Sequence, residues 1–183
     1  MYKICRTEQS IARQRLLEQG LLTLMERSRY DELSVSDLCR YMNLPRKAFY
    51  RYFSGKDGAL YALIDHTIGE FFNLPPSVPR GTAMGDLDLF FSFWQKNSRL
   101  LEVLQKNGLS GILVERANNF ALKEGLFPRH MKSWHAQQQS MALGFAISGL
   151  MSMVFRWHNQ GYLLSAREIT ELATQLLTQP LLK

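Results

Sequence analysis

Hydrophobic positions recur every three or four residues along almost the whole chain, which is the spacing that gives an α-helix one apolar face. The pattern predicts helices near residues 11–28, 35–42, 45–53, 56–71, 87–104, 112–121, 129–160 and 165–179. No segment shows the alternation of apolar and polar residues that predicts a half-buried strand. We therefore expect an all-α protein without internal repeats.

Residues 73–81 interrupt this pattern with the sequence NLPPSVPRG, which holds three prolines and one glycine. Proline lacks a backbone N–H and clashes with the preceding turn of a helix, so the helix before this stretch cannot continue through it. We expect a loop here, and with it a domain boundary.

Two short predicted helices lie within residues 34–56 and are joined by a tight turn. Ser34 is the expected N-cap of the first helix, with Asp37 as its capping-box partner three residues later. Asn43 tolerates the left-handed backbone that such a turn needs. Pro45 suits the first position of the second helix, because an N–H there would have no helical partner. The spacing predicts a helix-turn-helix.

The second helix of this motif has one apolar face and one basic face. Phe49 is expected to face the first helix, whereas Lys47, Tyr50 and Arg51 face away from it. Residues 40–56 contain five basic side chains and no acidic one. A helix with this arrangement has the chemistry to enter the major groove of DNA.

The net charge of +6 over 183 residues favours a polyanionic partner, without choosing between nucleic acid and a membrane surface. The first 60 residues carry 11 basic and 7 acidic side chains, and the remaining residues carry 11 and 9. The positive excess per residue is therefore concentrated around the predicted helix-turn-helix.

The segment from about residue 14 to residue 63 resembles the N-terminal DNA-binding domain of the TetR/AcrR family of transcriptional regulators. The resemblance is carried by LSVSDLC at residues 33–39 and by AFYRYFSGKDGAL at residues 48–60. Its most specific part is an aromatic-Tyr-x-x-Phe-x-x-Lys pattern, formed by Phe49, Tyr50, Phe53 and Lys56. Asn43 departs from the family's usual Gly, and Pro45 from its usual Ser or Thr.

The resemblance implies a homodimer that binds double-stranded DNA at an inverted-repeat operator. The residues expected to contact DNA are Ser34, Arg46, Lys47, Ala48, Tyr50, Arg51, Tyr52 and Lys56. Lys47 and Arg46 are expected to reach base edges, and Tyr50, Tyr52 and Lys56 to reach phosphates. The first helix would add Arg13 or Arg15 to the phosphate contacts, unless these arginines belong to a solvated face.

The expected domain organisation follows from the motif and the proline-rich loop. Residues 1–56 form the helix-turn-helix domain, with a polar, frayed start up to about Ser10. Residues 57–72 form a linking helix, residues 73–81 the loop, and residues 82–183 a helical domain for effector binding and dimerisation. In the family, the linking helix is the lever through which a ligand reaches the DNA-binding heads.

The aromatic residues of the second half have two interpretations. Most must pack in a core, and some are expected to line a cavity for a small apolar or aromatic effector. The candidates for this cavity are Phe90, Phe91, Trp94, Phe120, Trp134 and Phe145. The last two helices resemble the pair through which the family dimerises, unless they only complete the monomer core. The candidates for this interface are Leu150, Val154, Leu172 and Leu176.

Residues 141–155 are the most apolar stretch, but about 15 residues are fewer than the roughly 20 that cross a bilayer. Ser148 and Ser152 also interrupt the stretch, so we expect a buried helix and no membrane segment. The N-terminal residues lack the apolar region of a secretory signal, and the protein is expected to be cytoplasmic.

Catalytic and metal-binding patterns are absent from the sequence. Its four histidines have no ligand spacing, and Cys5 and Cys39 do not make a disulfide framework. We therefore expect no enzyme activity, no cofactor and no metal. The expected function is a repressor released from DNA by its effector. The alternatives are a regulator or activator controlled by a protein partner and, more remotely, an enzyme that uses the helical pocket of the second domain.

Overall fold

The computed structural model describes residues 1–74, 82–125 and 133–179. Its regular elements in these ranges are all helical, which confirms the all-α prediction. The N-terminal part contains α1 (Glu8–Arg27), a 3-10 helix (Tyr30–Glu32), α2 (Val35–Tyr41), α3 (Arg46–Phe49) and α4 (Lys56–Phe72). The later part contains α5 (Ala83–Lys96), α6 (Ser98–Lys106), α7 (Ser110–Lys123), α8 (Ala136–Asn159) and α9 (Ala166–Thr178).

The described chain divides into two compact units. The first unit comprises Met1–Gly69 together with Val103–Leu109, and the second comprises the described parts of Glu70–Glu102 and Ser110–Lys183. The sequence predicts that residues 103–109 belong to the C-terminal domain, whereas the structure groups them with the first unit. The reason is a set of polar contacts at the end of α6, where Asn107 Nδ2 donates to the Met25 carbonyl at 3.2 Å and Lys106 Nζ to the Glu26 carbonyl at 2.5 Å.

The core of the first unit is formed by apolar side chains from α1, α2, α4 and the segment around α3. Its largest fully buried side chains are Leu17, Leu21, Met25, Leu38, Phe49, Phe53, Leu60, Leu63 and Ile64. Each large apolar side chain buried in this way contributes about 1.5–3 kcal/mol to the free energy of folding. This core fixes the orientation of α3, because Phe49 and Phe53 are the inward side of that segment.

The expectation of a frayed N-terminus is wrong for this chain. The helix α1 begins at Glu8, and Thr7 caps it by accepting from the Ser10 N–H. Before α1, the backbone N–H of Lys3 donates to the Tyr52 carbonyl at 2.8 Å. The Ser54 N–H in turn donates to the Met1 carbonyl at 3.0 Å. These contacts lie far apart in the sequence, and a local pattern cannot predict them.

In the second unit, the single predicted helix over residues 87–104 is wrong, because Asn97 separates α5 from α6. The Asn97 N–H is shared between the carbonyls of Phe93 and Trp94, and its side-chain amide donates to the Phe93 carbonyl at 3.0 Å. An asparagine that bonds to the backbone in this way competes with the helical hydrogen bonds. The apolar spacing continues across the break and does not reveal it.

The helix α8 begins at Ala136, later than predicted, although residues 126–132 lie outside the described ranges. The expected capping box of α9 is confirmed, with Ser165 and Glu168 bonded reciprocally.

Among the described helices, α8 is the one long and apolar enough to cross a membrane by length and composition. Only 22% of the most apolar 18-residue stretch of α8 is buried, so the expectation of a buried helix is wrong. Met141 and Phe145 are 67% and 74% exposed.

Candidate nucleic-acid interface

The first helix of the motif, α2, starts from the capping box that the sequence predicts. The Ser34 hydroxyl accepts from the Asp37 N–H at 3.2 Å, and the Ser34 N–H donates to Asp37 Oδ2 at 3.0 Å. The Ser34 hydroxyl and backbone hydrogen bonds to Asp37 hold the pKa of that carboxyl below its usual value. The cap is therefore fully formed at neutral pH, and it fixes the start of α2.

The turn between α2 and α3 depends on Asn43, which has a φ of 48°. This confirms the left-handed conformation expected for Asn43. The Leu44 N–H donates to the Cys39 carbonyl at 3.0 Å and closes the turn. Pro45 is the N-cap of α3 rather than its first helical residue, because its ψ of 143° is extended. Its carbonyl then accepts from the Ala48 N–H at 2.8 Å, so α3 starts one residue later than predicted.

The inward side of α3 is aromatic, as predicted. Phe49 is 0% exposed and Phe53 2%, and their ring centroids lie 5.1 Å apart. Regular α-helix ends at Phe49, but the chain keeps turning because the N–H groups of Tyr52 and Phe53 both donate to the Phe49 carbonyl. The outward residues therefore stay on one surface beyond the formal end of the helix.

The outward side of α3 carries the predicted DNA-contacting residues together. Arg46, Lys47, Tyr50 and Arg51 are exposed, and Ala48 and Tyr52 are half-buried. Arg46 donates to the Tyr50 hydroxyl at 3.1 Å and lies 5.8 Å from the centre of its ring. Lys47 and Arg51 have no hydrogen-bond or ion-pair partner among the described residues. Their charges are therefore available to an external ligand.

Two predicted contact residues have internal partners in the structure. The Ser34 hydroxyl is used by the cap of α2. The Lys56 ammonium donates to the carbonyls of Tyr30, Asp31 and Leu33 at 2.6, 3.2 and 2.7 Å, and it lies 4.5 Å from the centre of the Tyr30 ring. An ammonium has three N–H groups, so a phosphate would have to replace one of these bonds.

Tyr30 completes this arrangement and was not singled out by the sequence. Its hydroxyl donates to Asp57 Oδ1 at 2.5 Å, and its backbone N–H donates to Asn107 Oδ1 at 2.6 Å. Burial, reinforced by the bond to Asp57, raises the pKa of the Tyr30 phenol far above its usual value. Tyr30 therefore stays protonated and keeps the 3-10 helix attached to the first turn of α4.

Cys39 and the pair formed by Glu18 and His66 have structural roles in the first unit. Cys39 is buried, and burial raises the pKa of its thiol, which disfavours the reactive thiolate. Glu18 of α1 is fully buried and lies 2.9 Å from His66 Nδ1 of α4. Within the described ranges, no three His, Cys, Asp or Glu side chains are grouped so that they could hold a metal ion.

The structure does not bring the six effector candidates together. Phe91 and Trp94 are buried, Phe90 contacts both, and the buried Trp94 Nε1 has no hydrogen-bond partner among the described residues. Phe120 stacks on Phe72, with ring centroids 5.1 Å apart. The other two candidates, Trp134 and Phe145, are 42% and 74% exposed.

The four candidates for the dimer interface differ in how exposed they are. Leu172 and Leu176 of α9 are 40% and 37% exposed, and Leu150 of α8 is half-buried. Val154 is 1% exposed, so its selection as an interface residue is corrected here: it packs within the chain and offers no surface to a partner. Met141 and Phe145, which were not selected for the interface, are the exposed large apolar side chains of α8 among the described residues, at 67% and 74%.

The described elements combine a helix-turn-helix in the first unit with further helices in the second unit. Solved structures share this fold. The dihydroxyacetone kinase operon activator DhaS matches with a TM-score of 0.56 and 17% identity, over 90% of this chain and 93% of that chain. The fatty acid degradation regulator FadR from Bacillus halodurans matches with a TM-score of 0.58 and 15% identity, over 97% and 98%.

A third solved structure is the TetR family repressor AlkX from Dietzia sp. strain DQ12-45-1b, implicated in biodegradation of n-alkanes. It matches with a TM-score of 0.50 and 21% identity, over 88% of this chain and 93% of that chain. No protein-family model matches the sequence, and no curated protein matches it either. At these identities the similarity establishes the fold, and the chain has a TetR-like fold.

Proposed function

We propose that this protein is a sequence-specific DNA-binding transcriptional regulator. The observation that carries the proposal is the outward side of α3. It presents the cations of Lys47 and Arg51, which have no partner among the described residues, on a helix anchored by the fully buried Phe49. The anchor fixes the backbone of α3 before DNA arrives, so little backbone order has to be gained on binding. The regulators that share the fold support the same function.

Within this function, Lys47 and Arg46 reach base edges in the major groove, with guanine N7 and O6 as the natural acceptors. Tyr50, Arg51 and Tyr52 contact the phosphate backbone and set the register of α3. The bond from Arg46 to the Tyr50 hydroxyl holds both side chains on the same exposed surface. Ser34 and Ala48 contribute van der Waals or backbone contacts.

The protein acts as a homodimer on an inverted-repeat operator. One α3 covers too little DNA for tight selective binding, and two such helices about one helical turn apart read two half-sites. Exposed apolar side chains on α8 and α9 support a partner there, because Met141, Phe145, Leu172 and Leu176 would otherwise remain in water. A symmetric second copy covers both helices at once.

A small apolar effector binds the second unit and lowers the affinity for DNA. The buried Trp94 N–H, which has no partner in the part of the chain that the structure describes, supports this part of the proposal. An unsatisfied buried donor is costly, and an acceptor atom on the ligand would satisfy it. The regulation that we propose is repression, which is relieved when the effector binds. The protein is proposed to act in the cytoplasm. The solved neighbours include an activator and a repressor, so activation, or control by a protein partner, is the second candidate.

The proposed function is tested by selecting DNA from a random-sequence duplex library with the wild-type protein. We expect enrichment of an inverted repeat whose half-site centres lie about one helical turn apart. If no sequence is enriched over several rounds, at low or at physiological salt, the proposal is contradicted. An enriched site without two-fold symmetry would leave DNA binding intact and contradict the homodimer.

A further inference from the structure

A second basic surface lies beside α3 and involves residues that the helix-turn-helix does not use. It is an open cleft of about 630 Å³ between the N-terminal arm (residues 1–6), the first turn of α1 and the chain that follows α3. Its polar lining is formed by Lys3, Arg6, Thr7, Ser10, Arg51 and Tyr52. We call this surface the arm cleft.

The arm is fixed in place by backbone pairing with the chain after α3. Tyr2 and Phe53 form an antiparallel bridge, flanked by the bonds from Lys3 N to Tyr52 O and from Ser54 N to Met1 O. Successive side chains of paired strands point to opposite faces. Because Tyr2 and Phe53 share the inner face, Lys3 and Tyr52 are directed to the other face, which is the arm cleft.

Side chains from two helices strengthen this attachment. The Tyr2 hydroxyl donates to Asp65 Oδ2 of α4 at 2.7 Å, and its ring lies edge-on to His66. Gln14 of α1 is 2% exposed and donates its amide to the Lys3 carbonyl at 3.1 Å. Gly58 of α4 leaves room for the arm, since a Cβ at that position would lie 2.4 Å from the Met1 carbonyl oxygen.

The charged side chains that line the arm cleft are all basic. Lys3, Arg6 and Arg51 are exposed and have no ion-pair or hydrogen-bond partner for their side chains among the described residues. The lining contains no acidic side chain; Glu8, the acidic residue next to it in the chain, lies outside. Three uncompensated cations in an open groove, together with the hydroxyls of Thr7, Ser10 and Tyr52, are suited to an extended polyanion.

The position of the arm cleft identifies that polyanion. Arg51 and Tyr52 belong both to the cleft and to the chain that continues α3, so a duplex seated on α3 brings its phosphate backbone to the cleft. We propose that the arm cleft binds the DNA backbone next to the groove that α3 reads, with Lys3 and Arg6 as phosphate contacts. This inference rests on the proposed function and extends the contact surface beyond the helix-turn-helix.

The test compares the wild-type protein with a variant that carries Lys3→Gln and Arg6→Gln. Binding to a duplex that the wild-type protein selects from a random library is measured at several salt concentrations. Each lost phosphate contact lowers the slope of log K against log salt by about 0.9, so the slope should fall by about 2 and the affinity about tenfold or more at low salt. The preference among operator variants should not change, because phosphates carry no sequence information.

A charge-matched control carries Lys96→Gln and Lys123→Gln, which remove two exposed charges from the second unit. This control should bind with the slope of the wild-type protein. A further variant, Gly58→Ala, keeps every charge but excludes the arm from its seat. Alanine favours a helix more than glycine does, so α4 should persist while affinity and salt slope fall. Thermal unfolding followed by circular dichroism checks that the variant is folded.

The outcomes separate this inference from the proposed function. A double variant with the wild-type slope, on a duplex that the wild-type protein binds, overturns the arm cleft alone. A folded Gly58→Ala protein with the wild-type affinity and slope shows that the docked arm is not required and also overturns the inference. A wild-type protein that retains no duplex at any salt concentration overturns both proposals.

Discussion

Lys56 and Leu33 are joined by a hydrogen bond of 2.7 Å from the Lys56 ammonium to the Leu33 carbonyl oxygen, across 23 positions of the chain. The same ammonium also bonds the carbonyls of Tyr30 and Asp31. The start of α4 is thereby tied to the segment that leads into α2. Lys56 is thus part of the scaffold that orients the proposed DNA-binding surface.

Replacement of Lys56 by Ala should therefore lower the stability of the protein. Hydrogen bonds to a charged group contribute about 1.5–3 kcal/mol, so we expect a loss of about 2 kcal/mol or more in the free energy of unfolding. Lys47→Ala is the matched control, because Lys47 is exposed and has no partner within the described ranges, and it should change stability by no more than about 0.5 kcal/mol. Denaturant unfolding measures both. A stable Lys56→Ala protein with uniformly weakened DNA binding would favour the phosphate contact expected from the sequence.

Ser34→Ala should destabilise the motif by about 1 kcal/mol, because it removes the N-cap of α2. The cap also gives a pH dependence through Asp37. The pKa of Asp37 is lowered in the folded protein. The stability that Asp37 contributes is therefore fully present above its pKa in the unfolded chain, about 3.9, and is lost as the pH falls through its lower pKa in the folded protein. Stability measured from pH 6 down to about 2 should therefore fall less steeply in Asp37→Asn than in the wild-type protein. Parallel curves would show that Asp37 makes no such contribution.

Replacement of Phe145 by Glu should yield monomers. Phe145 is 74% exposed in the single chain, so the substitution should not prevent folding, but it would bury an unpaired charge in an α8 interface. Leu172→Glu on α9 should act in the same way. Met84→Glu, at an exposed apolar position of α5, is the control and should leave the dimer intact. Sedimentation velocity separates the states; dimeric Phe145→Glu and Leu172→Glu proteins would remove this surface from the interface.

Trp94→Phe should weaken effector binding and leave DNA binding without effector nearly unchanged. The substitution keeps an aromatic ring in the buried site and removes the unpaired N–H. A lost hydrogen bond of about 1 kcal/mol corresponds to a roughly fivefold higher Kd for a ligand with an acceptor. Calorimetry with compounds found by screening measures the change. Ligands that bind the wild-type protein yet never alter its DNA affinity would contradict effector control, since coupling requires different affinities for the two states.

The local parts of this architecture could be predicted from the sequence, and the long-range parts could not. The Ser34 capping box and the left-handed Asn43 depend on neighbouring residues, and both are confirmed. The partners of Lys56 and the docking of Tyr2 beside Phe53 join residues distant in the chain, and no periodicity encodes them.

The surface of the second unit shows a different limit of sequence reasoning. Phe145 and Val154 are both apolar residues of α8, yet the first is exposed and the second is buried. Helical periodicity shows that a face is apolar, but it does not show whether that face meets the chain's own core or a partner. The break at Asn97 escaped prediction for a related reason, because the apolar pattern runs through it.

The central claim is that α3 reads base sequence through Lys47. The most direct measurement compares the binding of wild-type and Lys47→Ala proteins to a set of duplexes that differ from the selected site at one base pair each. We predict a loss of about 1–3 kcal/mol on the selected site and a relaxed preference at one position of each half-site, with the other positions unchanged. An equal loss on every duplex, with all preferences retained, would contradict the claim.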